Sequence, residues 1–136
     1  MEQRDYLLRE IEKIGVLLRA IFQKLLNEKD NLAITPEKQI EDEKRMLMTE
    51  MNFDVDKFLQ LNIVEANEYI SCFDGFNIEN IELLAEYFST IGFKTESDVS
   101  RNYLEKALQL YALCALKSKT YSLEREEKIR AIQNVL

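Results

Sequence analysis

A long amphipathic repeat near the N-terminus constrains the fold more than any other feature of the sequence. Between residues 5 and 27, apolar side chains recur at alternating spacings of four and three residues. Because an α-helix turns once in about 3.6 residues, side chains at these spacings lie along one stripe of a helix. The stripe consists of Leu7, Ile11, Ile14, Leu18, Ile21 and Leu25. The pattern predicts a long first helix with an apolar face.

A second apolar row beside this stripe leaves the role of the helix open. The row consists of Tyr6, Leu8, Val16, Leu17, Phe22 and Leu26. It widens the apolar face beyond what one packing partner normally covers. One interpretation is a core helix of the same chain. The other is a helix that pairs with a second copy, for which three heptads are the minimum. The six stripe residues, with Met46 and Met48 of a second helix, form the candidate oligomer interface.

Scarcity of turn-forming residues extends the helical prediction to the whole chain. The 136 residues include three Gly and one Pro, too few for the tight turns of a many-stranded β protein. Helix-capping residues divide the sequence, and they are Thr35, Asp54, Asn62, Asn77 and Ser122. We therefore predict an all-α fold, a helical bundle or α-α superhelix of six to seven helices. A chain of this length fits one domain, covering residues 1–136.

Several helix boundaries and faces follow from the same signals. The fourth helix is expected to end near Gly75, and the fifth at Gly92, since glycine suits the left-handed position beyond a helix end. The sixth is expected to begin at Thr95 or Ser97. The second helix is expected to be largely exposed because its first half is strongly charged. The last helix carries a narrow apolar stripe of Leu123, Ile129, Ile132 and Leu136.

Acidic residues are concentrated in one stretch of the chain. The net charge is −7, and residues 61–100 hold eight Asp or Glu against a single Lys. Without a basic stripe to neutralise phosphates, nucleic acid is not an expected partner. Arg19 interrupts the longest apolar stretch far short of a membrane span, and no secretory signal is readable. We expect a soluble cytoplasmic protein, in which Cys72 and Cys114 stay reduced and fill the core.

The sequence lacks the side chains on which most catalytic sites depend. It contains no histidine, the commonest general base and metal ligand. The three glycines stand apart, so no phosphate-binding loop is readable. Carboxylates at residues 41–43, at residues 54–56 and around Asp74 leave acid-only chemistry as an alternative, although helix capping explains Asp54 and Asn77 better. We predict no catalytic residue, metal ligand or cofactor, and a protein that is not an enzyme.

Residues 81–110 resemble one tetratricopeptide repeat. Ile81, Leu84, Ala85, Phe88 and Gly92 match the first helix of that repeat, and Tyr103-Leu104-Glu105-Lys106-Ala107-Leu108 resembles the end of its second. The connecting turn is about three residues too long, Ser100 replaces the usual small residue, and the closing proline is missing.

The resemblance extends more loosely over the whole chain. With its opening YLLREIEKIGVLLRAIF and its later YLEKALQLY, the chain resembles a family of short all-helical bacterial proteins of unassigned function, related to tetratricopeptide domains. The resemblance implies a helical hairpin at about residues 77–116 and carries no activity.

An acidic row on the fifth helix is the candidate partner-binding site. In tetratricopeptide domains the exposed side of the first helix often lines the binding groove, and the corresponding residues are Glu79, Glu82, Glu86, Ser89 and Thr90. The row could attract a basic peptide or helix, since complementary charge orients an encounter. It could also be a solvated helix face, or it could be covered by the basic last helix.

These observations favour a non-catalytic interaction or adaptor domain. Its partner is expected to be a protein, and a second copy of the chain is a candidate, which would make a homodimer. The alternative is a ligand-sensing or carboxylate-only enzymatic domain with a pocket between helices. An enclosed polar cavity would favour this alternative, whereas an exposed apolar or acidic groove would favour the interaction domain.

Overall fold

The computed structural model of the chain describes residues 2–27, 35–95 and 98–136, and the regular structure within these ranges is entirely α-helical. Seven helices follow one another there: α1 (Glu2–Leu26), α2 (Pro36–Met51), α3 (Val55–Gln60), α4 (Ile63–Ser71), α5 (Ile78–Lys94), α6 (Asp98–Ser118) and α7 (Leu123–Gln133). The predicted all-α class and number of helices are confirmed. The predicted capping residues also begin α2, α3, α4, α5 and α7.

Helix α1 contributes one face to the core. Ile14, Leu18, Ile21 and Leu25 are fully buried in the cluster of apolar side chains that also receives α2, α5 and α6. The alternating spacing of these residues therefore reflects burial within the same chain. This is the core-helix interpretation of the repeat.

Helix α2 is exposed or half-buried over most of its length, as its charge suggested. Thr35 accepts a hydrogen bond from the Lys38 amide, and Pro36 opens the helix. The exception among its charged residues is Glu43, which is buried together with the apolar Ile40 and Leu47. The physical reason lies in a distant residue, because the buried hydroxyl of Tyr87 donates a hydrogen bond of 2.8 Å to the Glu43 carboxylate.

Helix α4 ends earlier than predicted. Its last residue is Ser71, four positions before Gly75, and the chain then turns back toward α1. Gly75 lies against the Glu10 carbonyl so closely that an added Cβ would stand 2.5 Å from that oxygen. The glycine is thus required by close packing between two backbones, not by a helix end.

Helices α5 and α6 form an antiparallel hairpin. The end of α5 meets the start of α6 at Gly92 and Leu104, and the start of α5 meets the end of α6, where the Cys114 thiol lies 3.7 Å from the Ile78 carbonyl oxygen. The predicted stop at Gly92 is wrong, because α5 continues to Lys94.

Close packing explains this glycine as well. A Cβ on Gly92 would stand 2.5 Å from the Leu104 side chain, and the Ser100 hydroxyl donates a hydrogen bond to the Gly92 carbonyl. Thr95 ends α5 as its C-cap and does not begin α6. Ser97, the other predicted start of α6, lies outside the described residues.

Helix α1 runs parallel to α5. Near the start of α5, the buried Asn80 side-chain amide donates to the carbonyl of Ile11, in the first half of α1, at 2.9 Å. Near their ends, the Lys94 ammonium donates to the Leu25 carbonyl at 2.9 Å. Each pair is 69 residues apart in sequence, so contacts distant along the chain fix this layer of the fold.

Helix α7 also runs parallel to α5, and its buried residues are Arg125 and Ile132. Of its predicted apolar stripe, Ile132 is buried and Ile129 is half-buried. Leu123 and Leu136 are exposed, and Leu136 lies beyond the end of the helix to which it was assigned. Two charged residues of the helix, Arg125 and Lys128, add polar contacts to α5.

Candidate functional site

The predicted acidic row lies on one face of α5, and the structure brings its members together. Glu79 is exposed, whereas Glu82, Glu86, Ser89 and Thr90 are half-buried. The Thr90 hydroxyl donates to the Glu86 carbonyl of its own helix at 2.8 Å, so it is engaged with the backbone. The charged and half-buried members of the row are therefore Glu82 and Glu86.

Helix α7 covers these two glutamates. The Arg125 guanidinium donates from Nε at 2.8 Å and from Nη2 at 2.5 Å to the same Glu82 oxygen, and its Nη1 reaches the Ser118 hydroxyl at 3.3 Å. The Lys128 ammonium donates to Glu86. Of the three interpretations of the row, the internal one is thus realised at Glu82 and Glu86.

Burial and charge both act on the groups around these ion pairs. Burial favours the neutral form of Lys128, but its hydrogen bond to Glu86 and the charge of that carboxylate outweigh the effect and raise the pKa of Lys128. Burial also raises the pKa of the Tyr111 hydroxyl, and the charges of Glu86 and Glu82 add to the shift. Lys128 therefore stays charged and Tyr111 stays neutral at neutral pH.

An open groove continues from these ion pairs toward the ends of α5 and α7. This α5–α7 groove has a volume of about 270 Å³. Apolar and small side chains contribute much of its lining, which consists of Phe22, Glu86, Ser89, Thr90, Phe93, Tyr111, Lys128 and Ala131. Three members of the predicted row therefore line the same groove as residues of α1 and α7, and they are Glu86, Ser89 and Thr90.

The candidate oligomer interface divides into buried and accessible parts. Ile14, Leu18, Ile21 and Leu25 are buried in the chain's own core, so their assignment to a contact with a second copy is corrected. Leu7 and Met48 are exposed, and Ile11 and Met46 are half-buried. The second apolar row of α1 is more accessible, because Tyr6, Leu8, Val16 and Leu26 each expose half or more of their surface.

A second open groove lies where α1 passes the end of α2. This α1–α2 groove has a volume of about 500 Å³ and is lined by Arg9, Glu12, Lys13, Val16, Leu17, Ala20 and Glu50. Val16 is 55% exposed. The groove was not predicted as a site from the sequence, although its apolar members Val16 and Leu17 belong to the second row. The contribution of Glu50 from α2 had no signal in the sequence.

The predicted carboxylate and cysteine features have mainly structural roles. Asp54 accepts from the Lys57 amide and Asn77 from the Asn80 amide, as expected of helix caps. Cys114 is buried as predicted, but Cys72 is exposed, which corrects its assignment to the core. Among the described residues, no three His, Cys, Asp or Glu side chains are grouped so that they could hold a metal ion.

Comparisons of the chain with protein-family models, with curated proteins and with solved structures find no match. Over the ranges that the structure describes, no helix has the length and apolar character needed to cross a membrane.

Proposed function

We propose that the chain is a non-catalytic interaction domain that binds an amphipathic helix of a protein partner in the α1–α2 groove. One observation carries this proposal: an open, apolar stretch of α1 lies beside the end of α2. Amphipathic helices bind by laying their apolar face into such grooves. The groove's openness suits a long ligand that lies across the surface better than a small molecule that must be enclosed.

The charges at the groove specify the chemistry of the partner. Arg9 and Lys13 carry positive charge, and Glu12 and Glu50 carry negative charge, around the apolar Val16 and its neighbours. A ligand that places both signs of charge beside an apolar stripe would complement this arrangement. The proposed partner is therefore a helix with a narrow apolar stripe and mixed charged flanks.

We also propose a tetratricopeptide-like hairpin and a cytoplasmic location for the domain. An α5–α6 pair that packs closely at Gly92 and Ser100 supports a tetratricopeptide-like hairpin, in which small residues allow helices to approach. Cys72 and Cys114 are unpaired, which suits the reducing cytoplasm. The absence of histidine in the sequence supports a non-catalytic role.

The test compares affinity capture from the native cell by three forms of the full chain. V16E places a charge at the centre of the groove, and V64E makes the same change at a residue of α4 that is 63% exposed. We expect a protein that is captured by the unaltered chain and by V64E but lost with V16E. A synthetic helix from that protein should then bind the purified chain with the same dependence.

Circular dichroism is measured on each form, so that loss of capture is separated from loss of folding. The proposal is wrong if no captured protein depends on Val16, or if V16E and V64E reduce capture equally.

A further inference from the structure

We propose that α7 exchanges between two copies of the chain, so that Glu82 and Glu86 of one copy bind Arg125 and Lys128 of the other. This exchange involves the acidic row of α5 and is independent of the proposed binding in the α1–α2 groove. It identifies the basic partner of the row as a helix of this same protein.

The contacts that hold α7 are of a kind that a second copy can reproduce. Arg125 is 8% exposed and joins Glu82 of α5 to Ser118, the last residue of α6. Lys128 binds Glu86 one turn further on, and Ile132 supplies the buried apolar anchor. All three are presented by one short helix, so an α7 from another chain brings the complete set.

The connector between α6 and α7 favours an open form. It consists of residues 119–122, between Ser118 and Leu123. Lys119 has a φ of 57°, a left-handed conformation that is strained for a residue with a side chain. Short connectors under strain promote exchange of the element that they attach. Because the connector contains neither glycine nor proline, α6 can continue through it as one helix, which removes the strain.

Exposed apolar side chains surround the same connector. Leu116 and Tyr121 are each 72% exposed, and Leu123 is 59% exposed. Nothing within the described chain covers them. In an exchanged pair the two connectors lie close to one another, and these side chains can then be buried between the copies.

Exchange would also make the α5–α7 groove composite. Lys128 and Ala131 line this groove from α7, opposite Phe22 of α1 and Phe93 of α5. In the exchanged pair, each groove would take its α7 wall from the other copy.

Charge reversal in separate chains tests the proposal. One full-length variant carries E82K and E86K, and the other carries R125E and K128E, so each alone opposes like charges. The two are unfolded in urea, mixed in equal amounts and refolded, because exchange requires α7 to leave its site. Mixed exchange restores attraction at both sites. We expect the mixture to shift from the mass of one chain to that of a one-to-one pair, measured by light scattering and native mass spectrometry.

A control variant with all four substitutions in one chain keeps the test decisive. It restores attraction within the chain and should recover the melting temperature of the unaltered protein. If it does so while the mixture stays at the mass of one chain, α7 binds only within its own chain and the proposal is overturned.

A second experiment uses the unaltered chain. After refolding at high concentration it should contain a dimer, and K119G should contain less, since glycine adopts the left-handed conformation without strain. A dimer that persists when R125E and K128E are present would arise from another surface and would also overturn the proposal.

Discussion

The Glu82–Arg125 ion pair should stabilise the fold more than its neighbour on the same two helices. Arg125 is nearly buried, and two of its N–H groups contact one Glu82 oxygen at 2.8 and 2.5 Å. Hydrogen bonds to charged groups contribute about 1.5–3 kcal/mol, whereas exposed ion pairs contribute about 0–1 kcal/mol. The Glu86–Lys128 pair leaves about a third of each side chain exposed. We expect coupling energies of about 2 kcal/mol for the first pair and less than about 1 kcal/mol for the second.

A double-mutant cycle isolates each coupling energy. Alanine is introduced singly and together at Glu82 and Arg125, and likewise at Glu86 and Lys128. The free energy of unfolding is measured by urea titration, with ellipticity as the signal. R125A alone should cost more than the coupling energy, because this substitution also removes the hydrogen bond to Ser118.

The two coupling energies are compared to test whether burial strengthens the Glu82–Arg125 ion pair. If the Glu82–Arg125 coupling is no larger than the Glu86–Lys128 coupling, burial does not strengthen this contact as argued. A change in the dependence of unfolding on urea would instead indicate that α7 had separated before the rest of the fold.

Two further predictions concern the core and its titrating groups. G75A should lower the melting temperature by roughly 4–12 °C, because its Cβ would overlap the Glu10 backbone, whereas G15A meets only side-chain atoms at 3.0 Å or more and gains helix propensity. Equal melting temperatures would contradict the packing argument. Burial raises the pKa of Tyr103 to about 12 from an ordinary 10.0. A raised folded-state pKa means that this stability is complete below about pH 10 and is lost, by up to roughly 3 kcal/mol, as the pH rises to about 12. Urea midpoints measured across this range should fall less steeply in Y103F, and an unchanged slope would contradict the assignment.

Local signals in the sequence identified most helix starts. A capping side chain and the backbone amide that it binds lie three residues apart, as at Asp54 and Asn77, so the interaction is visible in a short window. Helix ends were harder to predict from glycine. Gly75 and Gly92 are needed because Glu10 and Leu104 approach them, and those neighbours are distant or lie on another helix.

The candidate site was only partly predictable for the same reason. The acidic row and the basic charge of α7 could be seen separately, which left internal pairing as one of three interpretations. Which cation meets which carboxylate depends on the parallel placement of α5 and α7, and no local pattern encodes that placement. Burial of Glu43 was missed because its hydrogen-bond partner Tyr87 is 44 residues away.

The parallel pairing of α1 with α5 has a consequence for synthesis of the protein on the ribosome. The two hydrogen bonds that join these helices, each from a side chain of α5 to a carbonyl of α1, span 69 residues. At about 5–20 residues per second, the chain needs roughly 3–14 seconds after making α1 before the matching part of α5 exists. During that interval the apolar stripe of α1 lacks the α5 side of its final packing, which exposes the nascent chain to aggregation or capture by chaperones. By contrast, α5 and α6 are adjacent in sequence and can pair as soon as both have emerged.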